Sequence, residues 1–302
     1  MTVRPFLVVA HTGRPESLEA TRLACELIIA GGATVVCLGN QRDEFAALTT
    51  VSPLVLGDDI APMDVEMAII LGGDGTILRT AEIMRGSTAP LLGVNLGHVG
   101  FLAELEPENL ADTIARCLAQ QYTVEERMTM DVEVVRDGEV VYSTWALNEA
   151  SVEKTARERM IEVVISIDSR PLSTFGCDGV LMSTPTGSTA YSFSAGGPVV
   201  WPEVEALIMV PLSAHALFAR PFVVGPNSTL EVELLTRTAA AGVLWCDGRR
   251  TFDLVPGSRV VARRSGVPVR LAHIHNGPFT DRLVKKFSLP VTGWRGGAES
   301  RD

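Results

Sequence analysis

Lysine is almost missing from this 302-residue chain, where only Lys154, Lys285 and Lys286 occur. Any phosphate bound here must be met by arginine, by backbone N–H groups or by a metal ion. The formal net charge of −10 argues against nucleic acid or an anionic membrane surface as partner, since either needs a basic face. Cysteine is sparse as well. Five cysteines are scattered at positions 25, 37, 117, 177 and 246 without a C-x-x-C pair, so neither a disulfide framework nor a zinc site is expected. No apolar run approaches a membrane span, and "FLVVA" near the start is far shorter than a secretory core segment. A cytoplasmic protein is expected. Both standard nucleotide signatures are absent: there is no G-x-x-x-x-G-K-[ST] loop, and "GVNLGHVG" spaces its glycines wrongly for G-x-G-x-x-G.

What the chain does have is length enough for two domains and a change of texture along it. Apolar runs at 6–10, 33–38, 65–71 and 90–95 alternate with helical patterns at 15–30 and 109–121. That alternation predicts an α/β domain with a parallel sheet, and ligands in such sheets bind beyond the C-terminal ends of the strands. "HTGR" at 11–14 and a glycine turn at 72–75 fall there. From about residue 122 short strands are punctuated by turn signals, among them Asp137-Gly138, Asp168–Pro171, Gly225–Asn227, Asp247-Gly248 and Pro256-Gly257. These predict a mostly β domain of layered sheets or a sandwich. After Pro278, the residues Phe279, Leu283 and Phe287 recur every four positions, as in a helix. The reading is an N-terminal α/β domain at 1–121, a β-rich domain at 122–276 and a tail at 277–302 that packs on the first domain.

The glycine turn carries the first chemical signal. "AIILGGDGTILRTA", residues 68–81, runs from a strand pattern into a helix pattern through Gly72, Gly73, Asp74, Gly75 and Thr76. Glycines at such a junction can take positive φ and let a ligand approach the backbone, and the helix N-terminus offers free N–H groups to an anion. Phosphate is the natural guest, with Arg79 further along the helix. Asp74 repels that guest unless a metal ion or a proton transfer gives it a purpose. Helix capping is the plainer alternative.

A second polar constellation lies at 177–198, "CDGVLMSTPTGSTAYSFSAGGP", where hydroxyls and glycines follow a strand pattern. Their density suits a polyhydroxylated, phosphorylated ligand, or else marks a Ser/Thr-rich turn. In "ALNEASVEK", Asn148 and Glu149 sit in an apolar strand whose alternation sends them to opposite faces unless a bulge or strand end intervenes. An amide and a carboxylate suit a ribose diol. "CDGRR" gathers Asp247, Arg249 and Arg250 at a turn, readable as a plain hairpin or as an aspartate reaching a ligand. His273 and His275 share a strand face but lack acidic or cysteine neighbours in the sequence, so a structural role is favoured. His98 lies near the expected cleft.

Taken together, "GGDGT", "GVNLGHVGFL", "NE", "DGVLMSTPTGSTAY" and "DGRR" stand in the order and approximate spacing seen in NAD kinases, and the chain resembles that family from about residue 6 to 293, in its actinobacterial branch. The resemblance implies transfer of a phosphoryl group from ATP or polyphosphate to the 2′-hydroxyl of the adenosine ribose of NAD, giving NADP, with Mg²⁺ or another divalent cation. It makes Asp74 the general base, with Gly72, Gly73, Gly75, Thr76 and Arg79 as the phosphate loop. It assigns Gly75, Phe101, Asn148, Glu149, Asp178, Thr189, Ala190, Tyr191, Ser194 and Asp247 to NAD. A homodimer or homotetramer built through the β domain is implied too. Many relatives carry arginine where His98 stands. A diacylglycerol-type lipid kinase shares the glycine turn but gives no reason for "TPTGSTAY", and a non-catalytic dinucleotide sensor would be expected to have replaced Asp74 or Asn148.

Overall fold

The structure, a computed structural model, describes residues 3–10, 15–49, 51–95, 100–103, 110–238, 240–274 and 277–291. Two compact units emerge, one of residues 1–126 with 270–302 and one of residues 127–269. In the first, strands β1 (Pro5–Ala10), β2 (Thr34–Cys37), β3 (Leu54–Val55), β4 (Met67–Leu71), β5 (Leu91–Val94), β6 (Thr123–Arg127) and β19 (Val269–His273) form one sheet. Its order is β3-β2-β1-β4-β5-β19-β6. Strands β1 to β5 and β19 run parallel. β1 and β4 are buried along their whole length, as expected of parallel strands covered on both faces, and that is why they read as unbroken apolar runs. Helices α1 (Pro15–Ala30), α2 (Arg42–Leu48), α3 (Asp74–Ile83), α4 (Leu110–Leu118) and α6 (Phe279–Phe287) complete this unit. The second unit thus lies within the span 122–276 read from the sequence, because β6 and β19 pair in the first sheet.

The second unit is a short helix α5 (Tyr191–Ser194) and two antiparallel sheets. One has the order β11-β10-β15-β18-β7-β8, from β7 (Met130–Arg136), β8 (Glu139–Ala146), β10 (Ile161–Ile167), β11 (Arg170–Cys177), β15 (Leu230–Leu234) and β18 (Arg259–Arg264). The other has the order β14-β13-β12-β9-β16-β17, from β9 (Glu149–Lys154), β12 (Gly179–Ser183), β13 (Leu207–Leu212), β14 (Phe222–Val224), β16 (Gly242–Cys246) and β17 (Arg250–Leu254). Alternate residues of both, such as Val132, Val163, Val232, Val152, Val180 and Leu244, share one buried core. This is the sandwich expected from the period-two pattern. Asp137-Gly138, Asp168-Ser169 and Asp247-Gly248 all have positive φ at both positions and close hairpins, as the Asp-led turns predict.

The chain passes from one sheet to the other at Leu147-Asn148, between β8 and β9. Both residues are buried, and their amides meet a carboxylate at this crossing. Asp247, at the β16 hairpin, accepts the Leu147 N–H at 3.1 and 3.0 Å and the Asn148 N–H at 2.7 Å. Arg250 donates to the same carboxylate at 2.7 Å and lies 4.6 Å over the Trp145 ring. Asp247→Ala leaves two buried amides and a guanidinium without this partner. It is expected to cost about 3–5 kcal/mol of unfolding free energy, with Asp247→Asn, which keeps one acceptor oxygen, costing less. Urea unfolding followed by circular dichroism checks this, and a loss below about 1 kcal/mol would show that the crossing is held by other contacts.

Candidate functional site

The glycine turn joins β4 to α3, as read from the sequence, but its glycines are not there for positive φ. None of Gly72, Gly73 and Gly75 is among the residues with positive φ. What they offer is space: a Cβ at Gly73 or Gly75 would meet nothing within 4 Å, whereas one at Gly72 would lie 2.7 Å from the Thr76 hydroxyl. Gly73 is the N-cap of α3 and Asp74 its first residue. The Thr76 and Ile77 amides bond the Gly73 carbonyl, and those of Asp74 and Gly75 precede these first bonds, at the helix end that favours an anion. Arg79 lies further along α3, half-buried.

Asp74 does not cap its helix, whose N-cap has no side-chain hydrogen bond. Its carboxylate instead accepts the backbone N–H groups of Phe101 at 3.0 Å and Leu102 at 3.1 Å. Gly100 makes room for it, since a Cβ there would lie 2.3 Å from Asp74 Oδ1. The sequence reading overlooked Gly100 and the Leu102 amide. The glycine of "HVGFL" was the available signal, but only the fold tells which side chain it admits. The resemblance puts Phe101 near the adenosine, whereas here its ring is buried against Phe279 and Phe287. Residues 11–14, His98 and His275 lie outside the described residues. His273 pairs with Glu125 at 2.7 Å, which supports its structural reading.

In the second unit, strand register collects the other candidates. β9 runs antiparallel between β12 and β16, placing Glu149 opposite Ser183 and Ala150 opposite Cys246. Asn148, Glu149, the "STPTG" loop and Asp247 therefore meet at one end of the sheet. Asn148 sits just before β9 and Glu149 begins it, so the strand end lifts the strict alternation. The loop is packed tightly on this point, and a Cβ at Gly187 would lie 2.0 Å from the Asn148 carbonyl oxygen.

Most of the loop's hydroxyls serve the loop itself. Ser183 donates to the Asn148 carbonyl at 3.2 Å, Thr184 to that of Leu147 at 2.5 Å and Ser188 to that of Val200 at 3.1 Å. Thr189 and Ser194 donate to Thr186 and Tyr191 carbonyls. The hydroxyl-rich motif is thus largely a folded turn that presents its backbone and the half-buried Thr189 and Ala190. Tyr191 and Ser194, together with Asp178, line a cavity of about 430 Å³ with Glu153, Lys154 and Leu212. Lys154 bonds Asp178 at 2.5 Å and holds its carboxyl below the usual range. Glu153 and Lys154 were not singled out from sequence, because nothing local distinguishes them from a solvated strand end.

Comparison with known proteins identifies the family of the chain. Residues 6–122 match the ATP-NAD kinase N-terminal domain and residues 147–274 the ATP-NAD kinase C-terminal domain. An NAD kinase of Leifsonia xyli subsp. xyli is 63% identical over 301 residues, covering 99% of each chain. The chain belongs to the NAD kinase family. It is accordingly a kinase, a phosphotransferase. NAD kinase 2 of Streptomyces coelicolor is 54% identical over 297 residues and 97% of each chain. Among solved structures, yeast NADH kinase complexed with NADH aligns with a TM-score of 0.85 at 21% identity, over 98% of this chain and 91% of that one. An NAD kinase from Archaeoglobus fulgidus in complex with ATP aligns at 0.72 and 24% identity, over 95% and 100%. Both show the NAD kinase fold.

Glu149 is the electrostatic anomaly of this NAD kinase family member. Burial first, and then the nearby Asp247, push its carboxyl up to about 8, against one stabilising bond from the Tyr191 N–H. Its Oε2 is buried without a partner. Asp247 is also raised by burial, against main-chain amides and Arg250 that favour its charged form. A carboxyl raised in the folded state contributes stability that is full below its ordinary range near 4.5 and lost as pH climbs through about 8. Glu149→Gln removes that dependence. The variant's stability relative to the parent should rise between pH 5 and 8, by on the order of a few kcal/mol. Parallel melting temperatures across that pH series would contradict the assignment.

Proposed function

We propose that the chain transfers the terminal phosphoryl group of ATP to the 2′-hydroxyl of the adenosine ribose of NAD, giving NADP. The observation that carries this reading is the placement of Asp74. A carboxylate stands at the first turn of a helix, where an N-terminus suits phosphate, and it is oriented by two backbone N–H groups instead of serving as the cap. In the reaction, Asp74 accepts the proton of the 2′-hydroxyl as the new O–P bond forms. The bond from the γ-phosphorus to the β,γ-bridging oxygen breaks, and ADP leaves with the electron pair. Asn148 and Glu149 hold the ribose and base, supported by the Asp247 carboxylate that fixes their backbone. Thr189, Ala190, Tyr191, Ser194 and Asp178 surround the adenosine half of NAD.

A divalent cation, Mg²⁺ by this reading, would be held mainly by the donor's phosphates. Among the described residues no group of three His, Cys, Asp or Glu side chains could hold a metal by itself, and Mg²⁺ commonly takes only one or two protein carboxylates beside phosphate oxygens. It supplies the charge neutralisation that the scarce lysines cannot. Inorganic polyphosphate is proposed as an alternative donor. The proposal extends to a cytoplasmic homodimer or homotetramer, supported by strands β8, β14 and β17 standing at the ends of their sheets. No helix among the described residues is long and apolar enough to cross a membrane.

Asp74→Asn keeps the side chain's size and one acceptor oxygen but removes the proton-accepting charge. Single-turnover rates at saturating NAD and ATP should fall roughly 10²–10⁴-fold with NAD affinity retained. The measurement is made across a magnesium series, with the fold checked by circular dichroism and NADP read by an NADP-specific dehydrogenase. Activity restored by magnesium would assign Asp74 to the metal, and a rate within about threefold of the parent would end the general-base assignment.

A further inference from the structure

The orientation of Asp74 depends on where the backbone of residues 101 and 102 lies, and that backbone is anchored from the C-terminal end of the chain. The Phe101 ring centroid lies 6.2 Å from that of Phe279 and 5.7 Å from that of Phe287, both on α6. Between them on the same helix, Arg282 donates to the Phe101 carbonyl oxygen at 3.4 Å. Arg282 also meets His273 Nδ1 at 3.4 Å, and His273 in turn meets Glu125 at 2.7 Å. A continuous set of contacts within the first unit therefore runs from α6 through Phe101 to the carboxylate. The far end of that set is specific: both Asp74 oxygens are engaged by main-chain donors, and Gly100 leaves no slack on the third side.

We propose that α6 is a positioning element for Asp74, with Phe279, Phe287 and Arg282 seating the Phe101 backbone so that it and Leu102 fix the carboxylate for proton acceptance. A carboxylate free to rotate spends most of its time out of reach of the hydroxyl, and misplacement by about 1 Å can cost on the order of 10²-fold in rate. The helix thus acts on turnover through the backbone it seats. This inference rests on the reading of Asp74 as the general base.

The test uses Phe287→Ala and Phe287→Leu in the full chain, alone and combined with Asp74→Asn. Phe287→Ala should lower kcat roughly tenfold while the KM for NAD stays within about twofold, and Phe287→Leu, which refills the space, should stay within about threefold of the parent. In the Asp74→Asn background Phe287→Ala should cause no further loss, because two residues acting through one carboxylate are non-additive. Amide hydrogen exchange read by NMR should speed up at Phe101 and Leu102 in Phe287→Ala while the β4 amides stay protected, separating local release from unfolding. Additive losses, or parental kcat despite faster exchange at the two amides, overturn the proposal and leave the base assignment standing. Parental activity of Asp74→Asn alone overturns both, and is visible before any combination is made.

Discussion

The second unit depends on a single carboxylate satisfying two main-chain donors. A chain that leaves one sheet of a sandwich for the other must cross the buried space between them, and at the crossing its amides fall out of both ladders. Unpaired buried amides cost as much as lost hydrogen bonds. Asp247 removes that cost for Leu147 and Asn148, and Arg250 offsets the charge. Because Asn148 leads directly into Glu149, the same bonds fix where the acid of the site begins. The tight seat of Gly187 against the Asn148 carbonyl then ties the hydroxyl-rich loop to that point.

Three carboxylates show how environment divides one functional group among tasks. Asp247 is buried with several donors and holds the crossing together. Glu149 is buried with one donor and an orphaned oxygen, so it holds a proton and offers a hydrogen-bonding group to whatever enters. Asp74 is only half-buried and is held by two amides at a helix start, where an anion would arrive. Burial and donor number, not residue type, set these roles.

Much of the architecture was legible because it rests on local pattern. The apolar runs that became β1 and β4, the helix of α1 and the Asp-Gly hairpins follow from periodicity and turn chemistry acting over a few residues. The hydroxyl-rich motif shows the limit of such reading. Its serines and threonines advertise a ligand, yet Ser183, Thr184 and Ser188 spend their donors on main-chain carbonyls, and the partners of a hydroxyl are not written next to it. The glycine turn misled in another way. Open space around Gly73 and Gly75, not positive φ, is what distinguishes them.

By itself the sequence determined the succession of strands and helices, the texture of the two domains and the presence of a carboxylate inside a glycine turn, since each is a matter of neighbours along the chain. Only the tertiary structure decided what that carboxylate touches. Asp74 meets residues 27 and 28 positions away, Asp247 meets amides 99 and 100 positions away, and Phe101 meets a helix nearly two hundred residues later. Contacts of that range are set by sheet order and register, which no local propensity encodes, and they decide whether a polar side chain holds the fold or is left to do chemistry.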